Sequence, residues 1–365
     1  MNATIAQSER VPVGEWDFPR NAWYVAATRA EVGEQPLHRW LLGKPVVLYR
    51  TEAGTVAALF DRCPHRGYPL SAGKIRGDAI ECGYHGLRFD PAGQCTLIPS
   101  GGDMPRGLGV ESYPVVEAWD WIWIWMGDPA DADPALVPDL TPYGFGCDGW
   151  HAETGPLLEC RSNYLLPFEN LLDATHITFL HNGAIDAGGV AAEPLQFEMK
   201  DGRISVSRQI RNERQTPLTM RTFGFSGDTA HRSIIAEAMP PSLCGVRVVL
   251  EPVEKSAVDR QVNQLIVGIT PQDRKRTLQF TAVSQTFPFV NPNREQDLRD
   301  LLMEDVVAME RIQRLNDALP ADEKPEFGLR ADKGAYQARR MFAAMLRREQ
   351  RSVTPAQQLA EGDVA

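Results

Sequence analysis

Two short stretches of the sequence combine thiol and imidazole side chains at close spacing. Cys63 and His65 are separated by one residue in DRCPHRGYPL, and Cys82 and His85 by two residues in ECGYHGLRFD. Proline and glycine residues surround both pairs, which is typical of tight loops. Two thiolates and two imidazoles on two loops are the ligand types of a zinc or an iron site.

The distribution of these ligands distinguishes the two metals. Structural zinc commonly takes like ligands in pairs, with two cysteines on one loop and two histidines on a helix. Here each loop supplies one of each, as a Rieske [2Fe–2S] cluster requires, with both cysteines on one iron and both histidines on the other. The pattern C-x-H…C-x2-H therefore predicts that Cys63, His65, Cys82 and His85 bind such a cluster, with zinc as the alternative.

A second pair of metal-ligand residues lies in NLLDATHITFLH. His176 and His181 are five positions apart, which places them roughly 140° apart around an unbroken helix. They can share one metal only if the helix ends or distorts near Phe179 and Leu180. The alternative is a pair of unrelated histidines near a helix end.

The helix predicted near residues 294–317 offers a carboxylate as the third ligand. Its apolar stripe consists of Leu298, Leu301, Leu302, Ala308, Met309 and Ile312. The carboxylates expected to project away from the stripe are Asp297, Asp300, Glu304 and Glu310. Asp305 instead lies at the centre of the stripe, where a carboxylate needs a metal or an ion-pair partner. We predict that Asp305 completes a 2-His-1-carboxylate site for Fe(II), and a buried salt bridge with an arginine is the alternative.

Four segments resemble the Rieske non-haem iron oxygenases, in particular the vanillate O-demethylase branch, which includes the dicamba monooxygenase type. They are NAWYVAA, CPHRGYPLSAG, CGYHGLRFD and WIWIWMGDP. The resemblance extends over about residues 20–345 and is denser in the first half. In that family, Asp-x2-His-x4-His carries the ligands of a mononuclear iron. The resemblance implies that Asp173 bridges His176 to the Rieske ligand His85 of a neighbouring subunit in a head-to-tail homotrimer. It also places Asn170 near the iron.

The resemblance further implies the terminal oxygenase component of a multicomponent system. Such a component uses O2 and electrons from a separate reductase, with or without a ferredoxin. NAD(P)H serves only through that reductase, and this sequence has no dinucleotide-binding fingerprint of its own. In the vanillate branch the attacked carbon is often a methoxy or N-methyl group on an aromatic, and its hydroxylation releases formaldehyde. We therefore expect oxidative demethylation of an aromatic substrate. The alternatives are oxygenation of an aromatic ring or a diaryl ether, an electron carrier with an inactive second domain, and a zinc-binding module.

The patterning along the chain predicts two domains of different class. Short β-branched and aromatic runs between Trp23 and Trp125 indicate an all-β Rieske domain, and residues 129–149 are a candidate linker. Beyond it, a helix near 163–180, strands between about 193 and 290, and helices near 294–317 and 333–350 indicate an α+β catalytic domain with an antiparallel sheet. We predict a flexible N-terminus at 1–16, the Rieske domain at 17–140, the catalytic domain at 141–350 and a flexible tail at 351–365. The candidate aromatic residues of the substrate pocket are Phe223, Phe225, Phe280, Phe287 and Phe289.

Composition excludes several other functions. The net charge of −10 argues against a nucleic-acid surface, which needs a basic footprint. The sequence has no apolar run of roughly 18 residues and no secretory signal. Six cysteines in 365 residues are too sparse for a disulfide framework. We expect a cytoplasmic protein with no membrane or nucleic-acid partner.

Overall fold

The computed structural model describes residues 18–181, 183–224, 229–253, 260–320, 323 and 327–360, with the backbone alone for 352–360. Compactness divides the chain into two units. The N-terminal unit comprises Arg20–Pro138 with Thr270–Asp273, and the C-terminal unit comprises Phe18, Pro19, Asp139–Ile269 and the chain from Arg274 onward. The N-terminus predicted to be flexible, residues 1–16, lies outside the described residues.

The N-terminal unit is built from eleven short strands in three antiparallel sheets. The strands are β1 (Trp23–Thr28), β2 (Leu37–Leu41), β3 (Lys44–Arg50), β4 (Val56–Phe60), β5 (Lys74–Arg76), β6 (Ala79–Glu81), β7 (Arg88–Phe89), β8 (Cys95–Leu97), β9 (Ser112–Tyr113), β10 (Val115–Ala118) and β11 (Trp121–Trp125). The strand orders are β1-β11-β10, β2-β3-β4-β9 and β5-β6-β7-β8. The predicted hairpin of β3 and β4 is confirmed, with Gly54 at φ 84° in its turn, a conformation that glycine adopts without steric cost.

The C-terminal unit contains one seven-stranded antiparallel sheet. Its strands are β12 (His151–Cys160), β13 (Gln196–Lys200), β14 (Arg203–Arg214), β15 (Thr229–Met239), β16 (Leu243–Pro252), β17 (Gln261–Asp273) and β18 (Arg276–Gln285). The order across the sheet is β12-β18-β17-β16-β15-β14-β13, so β12 crosses over to pair with the last strand. The expected all-β domain followed by an α+β domain with an antiparallel sheet is confirmed.

Within the described residues, five α-helices accompany this sheet. They are α1 (Leu165–Leu171), α2 (His176–Phe179), α3 (Pro217–Phe223), α4 (Arg294–Ala318) and α5 (Lys333–Ala360). The prediction of one helix near 163–180 is wrong, because this segment forms two helices, α1 and α2. Between them the Asp173 carboxylate accepts a hydrogen bond from the Thr175 N–H at 2.8 Å. The helix α5 extends ten residues beyond its predicted end at 350. Across the described residues, every helix is too short or too polar to cross a membrane.

Candidate metal centres and substrate cavity

Two loops of the N-terminal unit present the cysteine and histidine pairs in the same backbone frame. In the first loop, Cys63 N–H donates to the Tyr68 carbonyl at 2.9 Å and Gly67 N–H donates to the Cys63 carbonyl at 2.8 Å. In the second loop, Cys82 N–H and Gly86 N–H form the equivalent bonds at 2.8 and 2.9 Å. Both glycines have φ 74°. The two loops therefore have equal length, and the unequal spacing in sequence reflects only which loop position carries the histidine.

The donor set of these loops fits a Rieske cluster. Cys63 and Cys82 are buried, whereas His65 and His85 are exposed with their ring centroids 4.5 Å apart. Burial raises the pKa of the Cys63 thiol to about 11, so a thiolate there needs a metal cation to stabilise it. Two buried sulfurs beside two adjacent imidazoles match a cluster with one cysteine-bound and one histidine-bound iron.

The histidine pair of the C-terminal unit lies at the end of a short helix. His176 is the first residue of α2, which ends at Phe179, and His181 follows it. The helix thus ends where the spacing of the two histidines requires. Their ring centroids are 5.3 Å apart, and His181 is buried while His176 is partly exposed.

Asp305 of α4 completes this cluster of side chains. Its Oδ1 lies 3.4 Å from His176 Nε2 and 3.5 Å from His181 Nε2, and one ligand atom of each residue lies within 4.8 Å of the others. Asp305 is buried, as its place on the helix predicts, and burial raises the pKa of its carboxyl. A divalent cation at this point would offset the cost of burying the charge. Two imidazoles and one carboxylate are the donor set of non-haem Fe(II) sites with open positions.

Hydrogen bonds hold the other nitrogen of each imidazole. His176 Nδ1 contacts the backbone carbonyl of Asp173, and His181 Nδ1 lies 2.8 Å from Glu304 Oε2. Donation from each Nδ1–H leaves each Nε2 lone pair directed toward Asp305, the arrangement common to metal-bound histidines. Asn170 Nδ2 donates to Asp305 Oδ1 at 3.0 Å, so Asn170 contacts this cluster through the carboxylate of Asp305.

One of these contacts differs from the sequence-based expectations. Asp173 contacts His176 through its backbone carbonyl, and its carboxylate accepts from the Thr175 N–H at the start of α2. Glu304, expected to project away from the core, reaches His181 across 123 residues of chain. The one signal in the sequence was that Glu304 directly precedes the predicted ligand Asp305. Helical periodicity alone predicts that the Glu304 side chain faces solvent.

A cavity of about 310 Å³ adjoins the three residues of this cluster within the C-terminal unit. Residues from α1, α2, α3, α4 and five strands of the sheet line it. Of the candidate aromatics, Phe223 and Phe289 line the cavity, Phe287 stacks on Phe223 with ring centroids 5.3 Å apart, and Phe280 is buried elsewhere. Phe225 lies outside the described residues.

Comparisons with known proteins agree with this architecture. Residues 22–114 match the Rieske [2Fe-2S] domain family, and residues 160–348 match the vanillate O-demethylase oxygenase C-terminal domain family. The dicamba O-demethylase oxygenase component of Stenotrophomonas maltophilia is 36% identical, covering 81% of this chain and 88% of its own. The vanillate O-demethylase oxygenase subunit of Pseudomonas sp. (strain HR199 / DSM 7063) is 31% identical, covering 93% and 98%.

Solved structures lead to the same family. The crystal structure of dicamba monooxygenase bound to 3,6-dichlorosalicylic acid superposes with a TM-score of 0.83 at 31% identity, covering 92% of this chain and 99% of that one. Another structure of that protein holds non-haem iron and dicamba, with a TM-score of 0.78 at 30% identity and coverage of 93% and 100%. The chain belongs to the Rieske non-haem iron oxygenases. Within them it belongs to the vanillate O-demethylase family, and it is a monooxygenase-type oxygenase component that uses a Rieske [2Fe–2S] cluster and a mononuclear iron.

Proposed function

We propose that Cys63, His65, Cys82 and His85 hold the Rieske cluster. We propose that His176, His181 and Asp305 hold the mononuclear iron. When bound, the cluster supplies electrons and the iron supplies activation of O2. The support for the iron site is the approach of both Nε2 atoms to one buried carboxylate oxygen. The support for the cluster site is the shared backbone frame of the two loops.

We propose that the reaction is oxidative demethylation of an aromatic substrate that carries a methoxy or N-methyl group. The observation that carries this proposal is the cavity of about 310 Å³, because its wall contains all three proposed iron ligands and is otherwise largely apolar. Such a wall suits a single aromatic ring with a small substituent. The names of two similar proteins, dicamba O-demethylase and vanillate O-demethylase, describe removal of a methyl group from oxygen.

The side chains around the cavity have separate tasks in this proposal. Asn170 holds Asp305 Oδ1 in place through its amide, and the Asp173 carbonyl and Glu304 orient the two imidazoles. The apolar wall displaces water and fixes the methyl carbon beside the ligands, where positioning supplies much of the rate. Hydroxylation of that carbon gives a hemiacetal or hemiaminal, which releases formaldehyde.

The electron supply and the assembly are also proposals. A separate reductase would deliver electrons to the cluster, beside which His65 is exposed. In a head-to-tail homotrimer, the half-buried Asp173 would connect His176 of one subunit to the Rieske ligand His85 of the next. Sedimentation equilibrium measures the assembly directly, and a monomer at micromolar concentration would contradict it. The cytoplasm is the proposed compartment, in keeping with the sparse cysteines.

A single turnover tests the reaction. The anaerobically purified protein is reduced and mixed with O2 and a panel of methoxy-, N-methyl- and phenoxy-aromatics, and formaldehyde is measured beside oxygenated products. We expect formaldehyde in proportion to the reduced cluster. Oxygenated rings or cleaved diaryl ethers without formaldehyde would favour the alternative reaction.

Matched variants identify the site of that reaction. Asp305→Asn should abolish turnover. Asp300→Asn, on the same helix and hydrogen-bonded to the side chain of Gln296, should retain it. Turnover by Asp305→Asn at the wild-type rate would refute the proposed iron site.

A further inference from the structure

The chemistry of the cavity wall restricts which substituents an aromatic substrate can carry. Much of the wall consists of aliphatic side chains, which recognise shape alone. They include Leu171, Ile185, Ile234, Val246, Leu265 and Val283. Selection among polar substituents therefore rests with a small number of polar side chains.

The first cation in the wall, Arg232, is already paired. Its Nη2 lies 3.2 Å from Asp186 Oδ1 and 2.7 Å from Glu213 Oε1, and Nη1 donates to the Ile185 carbonyl. The side chains of Asp186 and Glu213 are almost fully buried around it. Two carboxylates thus share one guanidinium, and this cluster offers a substrate no net positive charge.

The second cation, Arg294, is also paired. Its Nε and Nη2 donate to the two carboxylate oxygens of Glu153, and its Cζ lies 4.2 Å from the centroid of the Phe289 ring. Among the described wall residues, no lysine or further arginine accompanies these two, whereas Glu295 and Asp297 add acidic groups. A substrate anion would enter without a dedicated cationic partner.

An amide of the central sheet is held in one orientation. Gln285 Nε2 donates to the Phe287 carbonyl at 3.0 Å, and Asn263 Nδ2 donates to Gln285 Oε1 at 3.0 Å. A carbonyl can only accept, so the NH2 of Gln285 must face Phe287 and its oxygen must face Asn263. The same reasoning requires Asn263 to direct its NH2 toward Gln285.

The oxygen of the Asn263 amide is an acceptor that this arrangement leaves for a ligand. Asn263 and Leu265 alternate with buried residues along β17 and both line the cavity, so they share the face of the sheet that borders it. Asn263 Oδ1 has no hydrogen-bond partner among the described residues. The hydrogen bonds from Asn263 to Gln285 and from Gln285 to Phe287 fix this atom as an oxygen, so it is an acceptor. The hydroxyl of Thr222, another residue of the wall, can donate or accept, so it does not discriminate.

We propose that Asn263 is a specificity-determining residue. It selects aromatic substrates that carry a neutral hydrogen-bond donor, such as a phenolic hydroxyl or an amide N–H, which donates to Asn263 Oδ1. The corresponding ether or carboxylate cannot make this bond. The inference rests on the proposed function only in taking this cavity as the substrate site.

Equilibrium binding of three matched compounds tests the proposal. They are 3-methoxyphenol, 1,3-dimethoxybenzene and 3-methoxybenzoate, titrated into the reduced holoenzyme without oxygen at pH 7, where the phenol is neutral. We expect the phenol to bind roughly tenfold more tightly than either other compound, the fold-change of one net hydrogen bond. Equal binding of the phenol and the diether, tightest binding of the benzoate, or binding of none of the three would overturn the proposal.

Two variants of Asn263 separate its acceptor from its bulk. Asn263→Asp retains an acceptor oxygen and should keep the phenol preference while weakening 3-methoxybenzoate further. Asn263→Leu has a similar volume without an acceptor and should bind the phenol and the diether equally. A preference that survives in Asn263→Leu, with wild-type thermal stability, would refute the role of the amide.

The outcome is independent of the reaction. Formaldehyde from a subsequent single turnover reports on demethylation, whereas the binding constants report on Asn263. A phenol preference without formaldehyde would reject demethylation of these compounds and keep the selection rule. Formaldehyde without any binding preference would support demethylation and reject the role of Asn263.

Discussion

Replacement of Glu304 tests how His181, a proposed iron ligand, is oriented. Glu304 Oε2 lies 2.8 Å from His181 Nδ1, and the His181 side chain is 3% exposed, so few other partners can reach that nitrogen. Glu304→Gln keeps an oxygen that can accept from Nδ1–H but removes the negative charge. Glu304→Ala removes both. We therefore expect iron affinity to fall in the order wild type, Gln, Ala.

The expected magnitude follows from the exposure of the carboxylate. Loss of a group that orients a metal ligand typically costs about 10- to 100-fold in metal affinity, or about 1.4 to 2.8 kcal/mol. Because the Glu304 side chain is 46% exposed, water screens its charge. We expect about tenfold for Glu304→Ala and a smaller loss for Glu304→Gln.

Competition with a chelator measures this effect on protein with an intact Rieske cluster. The mononuclear iron is titrated against the chelator, and the visible absorption of the cluster monitors the other site. Asp300→Asn is the matched control, since it removes an exposed carboxylate one turn earlier on α4. An iron dissociation constant for Glu304→Ala equal to that of the wild type would refute the orienting role.

Three further predictions concern the cluster, the core and the pH dependence of stability. Cys63→Ser should abolish the visible absorption of the cluster, whereas Cys95→Ser, also buried, should retain it. Phe342→Ala should lower the free energy of unfolding of the C-terminal unit by about 3–5 kcal/mol, as measured by chemical denaturation. The buried Phe342 ring contacts the rings of Tyr164 and Phe168 at centroid distances of 5.2 and 5.0 Å. Phe327→Ala, with a ring that is 85% exposed, should change stability by less than about 0.5 kcal/mol. Burial raises the pKa of Glu213 to about 7 from the ordinary value of 4.5. Between these values the folded state holds a proton that the unfolded chain has lost, so stability should fall as pH rises through this window. Glu213→Gln should lessen that fall between pH 5.5 and pH 8, and an unchanged slope would contradict the assignment.

Local pattern was sufficient for several features of the proposed iron site. The 100° step of a helix required a helix end between His176 and His181, and α2 ends at Phe179. The same periodicity placed Asp305 inward, and it is buried. Ile312 was assigned to the apolar stripe of α4 but is 47% exposed. Periodicity locates the centre of a buried face more reliably than its edges, because the edges depend on what packs against the helix.

Other features were beyond a local reading. The strand β12 has the sequence HAETGPLLEC. Its Gly-Pro pair and its few β-branched residues do not predict a strand. It forms through its pairing with β18, more than 100 residues later. The break between α1 and α2 depends on a side-chain hydrogen bond of Asp173 that competes with the helix.

The sequence by itself predicted the candidate ligand types, the two loops and the inward carboxylate, because spacing and periodicity act over a few residues. Only the tertiary structure decided that Glu304 contacts His181, that the Asn263 amide donates to Gln285, and that Phe223 and Phe289 line the cavity. These relations join residues that are distant along the chain. Their distances and partners depend on how the sheet and helices pack, which no local pattern encodes.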